Sequence, residues 1–112
     1  MKTKLSLLAF FSVSLILASC SKDEEPAVTK VTYNKDAKTV FVSNCAPCHV
    51  TGGANPNKWD DYNTAKSKID AILDRVNREE AAAGHMPKNG PKLPAATIDI
   101  LTQWKADGLL EN

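Results

Sequence analysis

The chain has 112 residues, 43% of them hydrophobic and 24% charged, which fits one ordinary globular domain and excludes an extended low-complexity or fibrous protein. Fourteen Lys and Arg face thirteen Asp and Glu, for a formal charge of +1, so no basic excess points to a nucleic-acid partner. Three cysteines is an odd count, and an exported chain must account for each of them.

Met1-Lys2-Thr3-Lys4 is basic, and Leu5 to Leu17 is apolar apart from scattered serines. That is the length of a signal peptide and too short for a comfortable membrane span. The stretch ends Leu17-Ala18-Ser19-Cys20. An aliphatic residue, two small residues and a cysteine resemble the lipobox of bacterial lipoproteins. The resemblance implies cleavage before Cys20 and fatty chains on its thiol and freed amine. Two or more chains give stable membrane anchoring, whereas one is marginal. A plain secretory leader with a cysteine at the cut site is the alternative. Either way the chain leaves the cytoplasm, and the expected location is the bacterial cell envelope, periplasmic or surface-exposed. Residues Met1–Ser19 are therefore read as leader, Cys20–Lys30 as lipidated cysteine and tether, and Val31–Asn112 as the folded domain. Without Lys2 and Lys4, the balance is 12 basic to 13 acidic residues.

Ser21-Lys22-Asp23-Glu24-Glu25-Pro26 is charged, lacks aromatics and reads as a solvated tether. Extended, Ser21 to Lys30 would reach about 35 Å. The acids also resemble the surface-export tag of some Gram-negative lipoproteins; keeping the tether disordered is the other reading.

The first helix is expected within Val31 to Asn44, with Asn34 as N-cap and Asp36 in the first turn. Ala37, Val40 and Phe41 share one face. Cys45-Ala46-Pro47-Cys48-His49 follows. Two thiols three positions apart and then an imidazole match the haem-attachment motif of c-type cytochromes. Two other readings stay open. Zinc would need a fourth ligand, with His85 as the candidate. A thioredoxin-like dithiol would need a βαβ setting, and the chain shows almost no strand pattern.

With Ala37 eight positions and Phe41 four positions before Cys45, the segment resembles the class I cytochromes c. That family has a small residue, usually glycine, and an aromatic there. The resemblance implies a monohaem domain. Cys45 and Cys48 would bind haem c through two thioethers, with His49 as proximal iron ligand. A backbone carbonyl of the following loop accepts the Nδ1 proton of that histidine, and Pro56 is the expected residue. A domain under about 80 residues is marginal without a staple, and a covalent porphyrin would supply one.

Val50 to Asn57 is a glycine- and proline-containing loop. Trp59 and Tyr62 are candidates for lining a pocket, for bonding a propionate, or for plain core packing. A second helix is expected from Asn63 or Thr64 to near Glu80, with Ala65, Ile69, Ile72, Leu73 and Val76 on its apolar stripe. The opposite face offers Lys66/Asp70, Asp74/Arg78 and Arg75/Glu79 at i,i+4.

Gly84-His85-Met86-Pro87 stands between the last two helices, with Met86 37 residues after His49. It resembles the distal-ligand loop of class I cytochromes c and implies Met86 as the second axial ligand. His85 is the competitor and is expected to be solvent-exposed. Pro94 fits N1 of a last helix carrying Ile98, Leu101 and Trp104 inward, with Ile100 at the margin and Asp107-Gly108 as the stop. Leu101 and Trp104 match the family's aliphatic and aromatic pair, which places Trp104 across Phe41 at a near-perpendicular helix crossing.

From Asp36 to Gly108, then, the chain resembles an all-α cytochrome c of three main helices and loops around one haem. The implied role is one-electron transfer to and from redox partner proteins, anchored to a membrane through Cys20. No residue set offers a nucleophile with its base, so no catalytic residue is assigned and the chain is not read as an enzyme. A haem sensor or gas-binding domain, in which Met86 leaves the iron, is the remaining alternative.

Overall fold

A computed structural model describes residues 27–112; the leader, Cys20 and the tether up to Pro26 lie outside the described residues. A π-helical turn, Tyr33–Ala37, runs into α1, Lys38–Asn44; α2 spans Tyr62–Asn77 and α3 spans Ala95–Ala106. Three α-helices and no strand among the described residues give the all-α architecture expected. None of these helices is long and apolar enough to cross a membrane.

The chain enters its first helix earlier than expected. Thr32, not Asn34, is the N-cap, and the first turn is widened, with Ala37 N–H reaching back to Thr32 O at 3.2 Å. The cause is a distant partner. The first amides of a helix lack acceptors within it. Here the C-terminal tail supplies them: Tyr33 N–H donates to Leu110 O (2.8 Å) and Asn34 N–H to Glu111 O (3.0 Å). The Asp36 carboxylate, four residues on, turns back to accept from Thr32 N–H at 2.9 Å.

Asp61 starts α2 as its N-cap, accepting from Thr64 N–H at 2.8 Å and from the Thr64 hydroxyl at 2.7 Å. Those bonds hold the Asp61 carboxyl below the usual carboxylate range. Ala65, Ile69, Ile72 and Val76 are buried, with Leu73 packed at the edge, as the stripe predicts. The helix stops at Asn77, because Arg78 turns to extended geometry (ψ 151°). Of the three expected i,i+4 ion pairs only Asp74–Arg78 forms. Asp70 instead meets Lys105 on α3 (2.6 Å), and Glu79 meets Lys92 (2.7 Å). Exposed pairs of this kind contribute roughly 0–1 kcal/mol each, so they orient elements more than they stabilise them.

Pro94 is the N-cap of α3 rather than its first residue. At the other end, Gly108 takes φ +95°, Gly108 N–H bonds Lys105 O (3.1 Å) and Leu109 N–H bonds Trp104 O (2.9 Å). That pair of bonds is a Schellman stop, which needs the left-handed residue glycine allows. It turns the tail toward the N-terminal turn, where Leu110 O also accepts from Trp104 Nε1–H at 2.8 Å.

The core is aromatic. Trp104, Tyr33, Phe41 and Leu101 are the largest fully buried side chains. Phe41 and Trp104 meet edge to face, with ring centroids 6.2 Å apart at 76°. Tyr33 touches Phe41, Tyr62 and Trp104. So the first and last helices join through the two rings that the family resemblance picks out.

Candidate functional site

Cys45 caps α1, its N–H bonding Phe41 O at 2.9 Å, and His49 N–H bonds Cys45 O at 2.9 Å. The attachment pentad is thus one turn carried on from the helix. Both thiols are unpaired, Cys45 half-buried and Cys48 exposed.

The following loop folds back over this turn. Asn55 N–H donates to Cys48 O (3.1 Å) and Trp59 N–H to His49 O (2.7 Å). Gly53 lies so close that a β-carbon there would overlap the carbonyl oxygens of Pro47 and Cys48. Only glycine fits, for want of space rather than for backbone geometry. Asp60 pins the far side: its carboxylate accepts from Thr51 N–H at 2.9 Å, and that bond holds its carboxyl below the usual range.

The His49 ring has Nδ1 3.0 Å from Asn57 O. The expected residue was Pro56; the carbonyl comes from the next one. Asn55 explains the shift. Its side-chain oxygen accepts from Asn57 N–H at 2.8 Å, a turn that leaves Pro56 exposed and presents the Asn57 carbonyl to the ring. With Nδ1 donating, Nε2 carries the free lone pair, and it has no hydrogen-bond partner among the described residues. Trp59, 8% exposed, lies flat against the imidazole, with centroids 4.8 Å apart at 13°. Tyr62 packs into the aromatic core and donates its hydroxyl to Leu109 O.

Across the domain, the loop after α2 returns along that helix. Arg78 donates to Ala83 O (2.6 Å), Arg75 donates to Gly84 O (3.3 Å), and Met86 N–H donates to Arg75 O (3.2 Å). Met86 is half-buried against the core cluster. His85 is not solvent-exposed as expected but 6% exposed, with Nδ1 3.0 Å from Arg78 O and Nε2 3.3 Å from Gly90 O. Carbonyls from the two ends of the loop between α2 and α3 lie beside its two ring nitrogens, and a single ring N–H can donate to one of them. Nothing in the local sequence pairs residue 85 with residues 78 and 90, so the burial of this histidine was not legible there.

The rival chemistries find little to build on. Among the described residues no three His, Cys, Asp or Glu side chains come together as a metal-binding set, so His85 does not join Cys45, Cys48 and His49. The βαβ setting of a dithiol exchanger is absent from the described residues. Burial pushes the Cys45 thiol up to about 11, away from the activated thiolate that exchange requires. Two unpaired thiols, an imidazole with its Nδ1 engaged, and a half-buried thioether do fit a covalently attached porphyrin.

The family model described as "Cytochrome C oxidase, cbb3-type, subunit III" matches residues 34–104, from the first helical turn through Trp104. No curated protein and no solved structure matches the chain.

Proposed function

The chain belongs to the family of cbb3-type cytochrome c oxidase subunit III, and from that premise we propose that it is a lipid-anchored, monohaem electron carrier with His49 and Met86 as axial ligands. A cytochrome c domain carries covalently bound haem c and serves electron transfer. When bound, the haem supplies a one-electron iron couple.

The rest falls to the chain's own residues. Cys45 and Cys48, half-buried and exposed on one turn, are the thiols that would hold the porphyrin. His49 would present Nε2 to the iron, with Nδ1–H held by Asn57 O, a bond that fixes the tautomer and would raise the ligand's basicity. Met86 offers a soft thioether, a ligand type that raises the reduction potential. One observation carries the reading: an imidazole held at Nδ1 by a backbone carbonyl, directly after two unpaired thiols. The lipid anchor is supported by Leu17-Ala18-Ser19-Cys20 and the charged tether behind it. Both point to a membrane-facing carrier in the cell envelope that exchanges electrons with redox partner proteins.

Oxidised and reduced absorption spectra of the haem-loaded protein test this. A six-coordinate low-spin haem that binds carbon monoxide slowly is the expected result. A high-spin haem with rapid carbon monoxide binding would replace the carrier with a sensor or gas-binding domain.

A further inference from the structure

Trp59 contacts the segment bearing His49 in two ways and is itself held by a third bond. Its indole lies flat on the imidazole, 4.8 Å away at 13°. Its N–H donates to His49 O at 2.7 Å. Its carbonyl accepts from the Tyr33 hydroxyl at 2.8 Å, in a buried bond 26 residues across the sequence. Tyr33 is 2% exposed and wedged among Phe41, Tyr62 and Trp104. Burial first, and then the nearby Asp60, Asp61 and Glu111, push its hydroxyl up to about 12, so it remains a proton donor across the working range.

A ring held only at Nδ1 has one soft motion left, a swing of its plane about the hydrogen bond. A flat partner on its face removes that motion. We infer that Trp59 is the positioning residue that fixes the plane of the His49 imidazole, and that Tyr33 fixes Trp59. The inference rests on the proposed role of His49 as iron ligand. Groups beyond the ligand shell set ligand orientation and solvent access to a metal site. The ligand plane, in turn, governs which iron d orbital overlaps the ring π system. A plane locked by the core would be the same in both oxidation states, which suits a carrier of single electrons.

The test uses the full-length, haem-loaded protein in the ferric state. Wild type should show nuclear Overhauser contacts between the indole of Trp59 and the ring of His49. Trp59→Leu should keep its haem and low-spin state but shift the electron paramagnetic resonance g values and reorder the haem-methyl proton shifts. Trp59→Phe, which keeps a flat face, should restore the wild-type pattern. Tyr33→Phe should move it part of the way. A residue that merely fills the core would lower the melting temperature in Trp59→Leu and leave g values and methyl order unchanged; that result overturns the inference. If Trp59→Leu yields no haem-loaded protein, the other two measurements decide: missing wild-type contacts or an unshifted Tyr33→Phe spectrum overturns it equally. Failure of the underlying reading is separately visible, since wild-type chain without haem overturns both.

Discussion

Met86→Ala should abolish the sulfur-to-iron charge-transfer band of the ferric protein and lower its reduction potential, whereas His85→Ala should leave the band in place. That pair of outcomes is expected because the two neighbours are held differently. Met86 is half-buried against the core, and its side chain has no polar partner that must be broken. The sequence has one other methionine, Met1. For His85 to become the ligand, one of its ring nitrogens would have to turn away from the carbonyl beside it, Arg78 O or Gly90 O. Losing one part-buried hydrogen bond of this kind costs about 0.5–1.5 kcal/mol. The same figure predicts what His85→Ala does instead: a lower melting temperature with an unchanged spectrum. Band loss in His85→Ala with retention in Met86→Ala would reverse the axial assignment.

Trp104→Ala should be the most damaging core substitution. The indole is fully buried and touches Tyr33, Phe41 and Tyr62. Its Nε1–H donates to Leu110 O, the same carbonyl that receives Tyr33 N–H. Truncation therefore opens a cavity between the first and last helices and loosens the tail that caps the first turn. Truncation of a buried tryptophan to alanine costs about 3–5 kcal/mol. Domains of ordinary stability hold about 5–15 kcal/mol in all. For a domain of this size the midpoint should fall by at least about 12 °C. Thermal unfolding of the haem-loaded variant checks it, and an unchanged midpoint would mean that the Phe41–Trp104 contact does not carry the fold.

What was legible in the sequence, and what was not, divides by the distance over which a residue finds its partner. The α2 stripe from Ala65 to Val76 and the Asp107-Gly108 stop are set within a turn or two, and spacing alone exposes them. Phe41 and Trp104 were legible through the family resemblance around the attachment motif. The start of the first helix was misplaced by two residues, because its amides are satisfied by Leu110 and Glu111 at the far end of the chain. The α2 charges were misassigned because Asp70 and Glu79 have partners on other elements. At the site, the thiol–thiol–imidazole order is written in five consecutive residues. The carbonyl that holds His49 depends on a turn made by the Asn55 side chain, which moves it from Pro56 to Asn57. Trp59 was visible as an aromatic near the motif, but its stacking on His49 arises from backbone pairing with no periodic signature.

The proposed electron-carrier role depends on covalent attachment of haem through Cys45 and Cys48. The direct measurement is mass spectrometry, under denaturing conditions, of the peptide bearing both cysteines, from full-length protein made in cells equipped for cytochrome c maturation. The predicted result is one haem retained through two thioethers, reduced to one in Cys45→Ser or Cys48→Ser. A peptide of unmodified mass with both thiols free would contradict the account.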